Sequence, residues 1–214
     1  MSYDKTYKNI QNVFGSDPEI ILKKYSYKID KTRLILDIGI GQGRNSFYLA
    51  EEGFQVEGID PSGVAIEEVN KISKEKNFKI NTYHTGFNEF EPENAPYSAI
   101  LIFGLIQILE WDSIYKLIDK INLWTEKGSM IFITAFSTKD ASYLSYSKKW
   151  KEAGKNSFTD GRGNYRTFLA PNEITGFFKE YNLIYHWEGL GPKHRHGNSP
   201  VEQHMMIELV VEKK

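Results

Sequence analysis

Leu34-Ile35-Leu36-Asp37-Ile38-Gly39-Ile40-Gly41-Gln42-Gly43-Arg44-Asn45 is the stretch on which the fold turns. Its short apolar run, ended by a glycine, reads as a first strand buried on both faces, the usual condition of strands in a parallel sheet. Helix-forming residues follow over 44–52, and Gly53 stands where a left-handed residue would close that helix. The glycines therefore fall at a turn from strand to helix. A residue without Cβ there permits a sharp turn and lets a ligand approach the backbone. Open α/β sheets bind ligands at the carboxyl ends of their strands, and this turn lies at such an end.

The alternation continues along the chain. Strands are expected over 55–60, 79–84, 98–103 and 129–134. Ser62 can cap a helix that places Ala65, Val69 and Ile72 on one face. Ile114, Leu117, Ile118 and Ile121 follow the i, i+3, i+4, i+7 rule of an amphipathic helix, which Gly128 is expected to end. Residues 137–170 are polar with modest periodicity and read as an insert. Pro171 is expected to open a helix with Ile174, Phe177, Phe178 and Tyr181 on one face. Two last strands, 183–188 and 205–211, flank a loop rich in Gly, Pro and His. A βαβα series ending in strand, loop and strand implies an α/β fold with a mainly parallel sheet and an antiparallel element at its end. The first thirty residues read as one or two short helices, broken near 15–18, that cover an edge or the site. The expectation is one domain over 1–214, with 1–30 as helical cover and 137–170 as insert and candidate lid.

Spacing within the glycine loop narrows the ligand. Dinucleotide binding expects G-x-G-x-x-G, but three residues after Gly41 stands Arg44, and the third glycine is Gly43. No G-x-x-x-x-G-K-[ST] phosphate loop is present. Asp60 closes the second strand, 17 residues after Gly43. A carboxylate at that place can accept hydrogen bonds from both hydroxyls of a ribose. Taken alone, Asp60-Pro61-Ser62 is equally ordinary turn chemistry; the glycine loop upstream favours the ribose.

The segments around Asp37 to Ser46, Leu49 to Val56 and Gly58 to Asp60 resemble the first two motifs of class I S-adenosylmethionine-dependent methyltransferases. The Gly43-Arg44-Asn45 sequence is most similar to the branch containing tellurite-resistance methyltransferases. The resemblance covers most of 33–214 and is weakest over 137–165. It implies a three-layer, Rossmann-like fold with a seven-stranded sheet of order 3-2-1-4-5-7-6, the last strand antiparallel. It implies S-adenosyl-L-methionine as cofactor and S-adenosyl-L-homocysteine as product. Gly39, Gly41 and Gly43 would shape the methionine and ribose site, Asp37 would support the amino group, and Arg44 and Asn45 would line the cofactor side. Asp60 would hold the ribose, Pro61 and Ser62 would flank the adenine, and Phe103 would lie near the methionine portion. Two positions depart from the family. Gly86-Phe87 stands where an acidic residue often receives the adenine amino group, leaving the Phe87 backbone N–H for an adenine nitrogen. Ser98 stands where an acidic residue often precedes the fourth strand.

Methyl transfer from a sulfonium asks for alignment, a desolvated nucleophile and in some cases a base, so no Ser/His/Asp constellation is expected. Acceptor-side candidates lie in Gly191-Pro192-Lys193-His194-Arg195-His196-Gly197. The resemblance implies a catalytic role for His194 and Arg195. Arginine can hold an oxyanion, and a neutral histidine can accept a proton. A solvated basic loop accounts for the same residues equally well. His194, His196 and His204 could suggest a metal, but no carboxylate evidently completes the set, so none is expected. Arg162 and Arg166 lie in the insert. Tyr143, Tyr146, Trp150, Phe158 and Tyr165 could line an aromatic pocket or simply pack the insert. Trp111 and Trp124 are expected in the core.

Composition limits the partners. A chain of 214 residues with 40% hydrophobic and 26% charged residues is an ordinary globular protein. A net charge of −1 without a long basic run argues against a duplex-binding surface. The absence of cysteine removes disulfides, zinc thiolates and thiol nucleophiles. No apolar leader follows Met1, and the run 99–109 is too short to span a bilayer, which takes about 20 residues. A cytoplasmic location and a small-molecule methyl acceptor, a metalloid oxyanion such as tellurite or an S/N nucleophile, are expected, with no nucleic acid or membrane partner. The competing expectation is a cofactor-binding scaffold of the same fold without turnover.

Overall fold

The computed structural model describes residues 3–170, 172–195 and 200–214. Pro171, His196 and Gly197 lie outside the described residues. The elements are α1 (Asp4–Asn9), α2 (Ile20–Tyr25), β1 (Ile35–Ile38), α3 (Arg44–Glu51), β2 (Val56–Asp60), α4 (Gly63–Lys76), β3 (Ile80–His84), β4 (Tyr97–Ile102), α5 (Trp111–Leu123), β5 (Thr125–Phe136), α6 (Tyr143–Lys149), β6 (Lys151–Glu152), β7 (Ser157–Thr159), β8 (Tyr165–Thr167), α7 (Glu173–Gly176), β9 (Tyr181–Leu190) and β10 (Met205–Lys213). Seven strands form one sheet in the order β3-β2-β1-β4-β5-β10-β9. Discounting the three short strands of the insert, this is the expected order. β10 slots between β5 and β9 and runs antiparallel to both, while the neighbouring pairs from β3 through β5 are parallel.

Alternation along the central strands separates two cores, one on each face. Leu36, Ile38, Ile100, Ile102 and Ile131 pack with Ile114, Leu117 and Ile121 of α5. Ile35, Ala99, Leu101, Met130 and Phe132 pack with Leu49 of α3, Val69 of α4 and Leu22 of α2. A sheet with helices on both faces is the three-layer Rossmann-like architecture. Local chemistry begins one crossover helix and ends another. The Ser62 Oγ accepts the Ala65 N–H at 3.2 Å and caps α4. Gly53, at φ 86°, ends α3 in a Schellman turn, donating to the Ala50 carbonyl while Phe54 donates to that of Leu49.

Three regions differ from the sequence expectation. Gly128 does not terminate α5. It lies inside β5, which starts at Thr125 and shifts register against β4 between Tyr97 and Ala99. Its φ of 85° fits a bulge that an L-residue would resist. The helix expected after Pro171 is only the four residues of α7. Ile174, Phe178 and Tyr181 are buried as the pattern requires, but Gly176 and a run of turns end the helix, and Tyr181 already belongs to β9. The insert is ordered as α6 and a three-stranded sheet β6-β7-β8. Its strands are two or three residues long, too short for a period to register.

Candidate functional site

The β1–α3 turn makes three successive left-handed glycines, each placed differently. Gly39 has φ 79°, and a Cβ built on it would meet nothing within 4 Å. Gly41 has φ 51°, and its Cβ would stand 3.0 Å from the Tyr7 hydroxyl. Gly43 has φ 83°, and its Cβ would collide with Phe47 at 2.8 Å and Val69 at 3.0 Å. Gly43 thus serves helix packing, whereas the open space at Gly39 faces a cavity of about 180 Å³. Gly39, Pro61, Gly86, Phe87, Asn88 and Leu105 are among its lining residues. It lies at the carboxyl ends of β1, β2 and β3, where an open α/β sheet receives its ligand.

Asp60 is buried at the end of β2, 6% exposed. One carboxylate oxygen accepts the Gly41 N–H at 2.9 Å and the other the Ser62 N–H at 2.8 Å. Two lone-pair sites remain on the carboxylate for a ligand. Burial raises its pKa, opposed by those two hydrogen bonds and assisted by the Asp4 carboxylate. Asp37, on β1, accepts the Ser46 hydroxyl at 2.6 Å. Burial pushes its pKa up to about 6, against the Ser46 hydrogen bond. Phe103 follows β4, half-buried against the core that includes α3 and α4. Ser98 lies within β4, its hydroxyl donating to backbone carbonyls of Arg33 and Leu34.

The residues after the glycines reach toward the N-terminal segment. Gln42 accepts from the Val13 N–H at 2.8 Å and donates to the Ile10 carbonyl at 3.2 Å. Arg44 donates to the Asp17 carbonyl at 3.0 Å and pairs with Glu19, and the Asn45 side-chain Oδ1 accepts the Glu19 N–H at 2.8 Å. Asp4 accepts the Ser62 hydroxyl at 2.5 Å. Tyr7 is 9% exposed, and burial together with the Asp60 carboxylate pushes its phenol up. Helix α1 therefore lies over the glycine loop and the end of β2. Sequence reading assigned this segment a covering role but singled out none of these residues, because a six-residue helix carries too little periodicity.

The second group of candidates gathers at the far end of β5. His194 and Glu202 exchange backbone hydrogen bonds at 2.9 and 2.8 Å. His204 stacks on Phe136 with ring centroids 4.3 Å apart and is bonded to buried Asp140 at 3.1 Å. Burial opposes ionisation of Asp140, but hydrogen bonds from His204, Ser142 and Met205 overcome it and hold the carboxyl at about 2. Arg195 is exposed. Arg166 spans the rings of Tyr146 and Phe136, 5.2 and 5.9 Å from their centroids, and its buried Nε finds no partner among the described residues. Arg162 is exposed at a turn closed by Asp160. Tyr143, Tyr146 and Phe158 pack around Phe168, and Tyr146 stacks edgewise on Trp150. Trp124 is in the core, and Trp111 ties α5 to the insert through the Lys155 carbonyl at 2.6 Å. Glu202 and Asp140, which complete the histidine cluster, were missed by sequence reading. Only Glu202, two residues from His204, carried a local signal.

A class I methyltransferase-type Rossmann fold is what this sheet and loop define, and the comparisons agree. The model of the family described as tellurite resistance protein TehB matches residues 19–202. The probable S-adenosyl-L-methionine-dependent methyltransferase TehB of Haemophilus influenzae is 25% identical over 163 residues, covering 75% of this chain and 50% of that protein. The ubiquinone biosynthesis O-methyltransferase of Rickettsia akari is 30% identical over 163 residues, covering 73% of this chain and 60% of its own. The chain thus spans about half to three fifths of the length of these curated relatives. Among solved structures, TehB from Haemophilus influenzae superposes with a TM-score of 0.68 at 20% identity, covering 91% of this chain and 61% of that one. Coclaurine N-methyltransferase bound to N-methylheliamine and SAH does so at 0.65 and 15% identity, covering 90% and 71%. The chain belongs to the TehB family.

Proposed function

We propose that this chain binds S-adenosylmethionine and transfers its methyl group to a small-molecule acceptor. The observation that carries the proposal is the pairing of Gly39, whose missing Cβ opens the cavity, with a fixed Asp60 carboxylate at the neighbouring strand end. The residues present fit the cofactor: a carboxylate with spare lone pairs suits a ribose diol, and a slot lined by Pro61, Gly86, Phe87 and Leu105 suits a flat purine. When bound, S-adenosylmethionine supplies an electrophilic methyl group on a sulfonium and leaves as neutral S-adenosylhomocysteine.

In this reading Asp60 anchors the ribose, and Ser62 and Gly41 hold its carboxylate in place. Pro61, Gly86 and the Phe87 backbone flank the adenine. Gly39 and Gly41 admit the methionine and ribose, Asp37 attracts the amino group, and Phe103 borders the methionine portion. Arg44 and Asn45 act by holding the N-terminal segment against the loop. On the acceptor side, Arg195 would attract an oxyanion and His194 would take a proton from a thiol or amine. Metalloid oxyanions such as tellurite and S/N nucleophiles are the acceptor classes this chemistry favours.

The reading is tested by supplying methyl-labelled S-adenosylmethionine with tellurite, selenite, small thiols and amines, and measuring S-adenosylhomocysteine. Acceptor-dependent product supports it. Cofactor binding with no product from any acceptor would favour a scaffold without turnover.

A further inference from the structure

We propose that His194, Glu202 and His204 form a binding site for one divalent transition-metal ion of the zinc class. One ligand atom from each lies within 4.8 Å of the others. Glu202, two residues from His204 in the chain, supplies the carboxylate that the histidines alone lacked.

The backbone explains the convergence. The reciprocal hydrogen bonds between His194 and Glu202 make them a directly opposed antiparallel pair, so their side chains leave the same face. His204 follows Glu202 by two residues, just before β10 begins, and its ring nitrogen joins the same group of ligand atoms. Glu202 and the His204 Nε2 already stand 3.5 Å apart. Zinc bonds of about 2.0–2.1 Å, tetrahedrally arranged, place neighbouring ligand atoms little closer than this.

The outer contacts are those that metal-bound histidines use. A ligating imidazole commonly gives its other N–H to a carboxylate or a backbone carbonyl, which fixes its tautomer and orientation. His204 Nδ1 meets the buried Asp140 carboxylate at 3.1 Å, and His194 Nδ1 meets the Pro192 carbonyl at 3.2 Å. Both contacts select the tautomer that presents Nε2 as the coordinating atom. Asp140 is itself held by the Met205 N–H at 2.7 Å and the Ser142 N–H at 2.9 Å, and Phe136 backs the His204 ring. Two imidazoles and one carboxylate favour zinc-like ions over calcium or magnesium, which prefer all-oxygen sites.

The metal site does not depend on the proposed reaction. With an ion on Nε2 and the Nδ1 proton on the Pro192 carbonyl, His194 has no lone pair for proton transfer, so it accepts a proton only in the metal-free chain. The test of the site uses the full chain without a histidine tag, stripped with chelator and dialysed, then titrated with Zn2+ by calorimetry and with Co2+ by visible absorption. The expected result is saturable binding of one ion per chain, weakened at least 100-fold in His194→Ala and in Glu202→Gln. Asp140→Asn should weaken it about 10- to 100-fold, as loss of an outer partner does. Circular dichroism confirms that each variant is folded, and the two loop variants carry the test should Asp140→Asn fail to fold. Absence of saturable binding, or equal affinity in His194→Ala and Glu202→Gln, would overturn the site. Metal binding that persists in Asp60→Ala, where cofactor binding is expected to fail, would support it as a site separate from the nucleoside pocket.

Discussion

Gly39 and Gly43 show how two identical residues in one loop serve different ends. Both require left-handed backbone, so an alanine at either costs about 1–2 kcal/mol in conformation alone. At Gly43 the added methyl also collides with Phe47 and Val69, and overpacking adds about 1–3 kcal/mol. Gly43→Ala should therefore lower the melting temperature clearly more than Gly39→Ala, whereas Gly39→Ala should weaken S-adenosylhomocysteine binding more than its small stability loss explains. Thermal melts and calorimetry on the pair check this; equal effects on both readouts would contradict the assignment. Asp37 supplies a second contrast. Its folded pKa of about 6 lies above the ordinary 3.8, so the stability it permits is fully present below about pH 4 and is lost as pH rises through 6. Asp37→Asn should abolish that loss, becoming more stable than wild type by up to about 3 kcal/mol at pH 7 and equal to it near pH 3. Melting temperatures across pH 3–8 read the difference directly. Of these residues, the sequence made Gly39, Gly43 and Asp37 visible as a motif, but not their separate tasks, since the collision at Gly43 depends on Val69, in a helix beyond the next strand.

At the scale of elements, α1 is a cover rather than a part of the sheet. Tyr7, Val13 and Ala65 form a small cluster of their own, apart from the two main cores. The side chains of Gln42, Arg44 and Asn45 fasten the segment from the loop side. Removal of residues 1–14 should leave the sheet folded, with an unchanged far-UV spectrum apart from one short helix. It should speed release of bound S-adenosylhomocysteine at least tenfold in stopped-flow measurements, because the cover over Asp60 is gone. An unchanged release rate would assign α1 a structural role only. The parallel strands and the α3, α4 and α5 crossovers were legible from the chain because their apolar residues show the period, with a stop at Gly53 for α3 and a cap at Ser62 for α4, while α5 was read from its period alone. The insert and α7 were not. Strands of two or three residues have no period, and the apolar spacing of Ile174, Phe178 and Tyr181 satisfies a run of turns as well as a helix.

For the molecule as a whole, one sheet divides two cores, and β10 joins its last strand to the rest. Leu209 is fully buried on β10, opposite Ile133 of β5 and His186 of β9. Leu209→Ala should cost about 2–5 kcal/mol in chemical denaturation, with a single transition. The sheet order was accessible only through family likeness, since strand periodicity cannot say which strands are neighbours; the cavity likewise needed the fold to bring Gly39, Pro61 and Gly86 together. Among the described residues no helix is long and apolar enough to cross a membrane. In the proposed function the sheet's carboxyl edge holds S-adenosylmethionine through Asp60. The direct measurement is calorimetric titration of wild type and Asp60→Ala with S-adenosylmethionine, S-adenosylhomocysteine and NAD. The expected result is micromolar binding of both sulfur ligands to wild type, about −8 kcal/mol, lost in Asp60→Ala, and no binding of NAD. Failure of wild type to bind either sulfur ligand, or undiminished binding in Asp60→Ala, would contradict it.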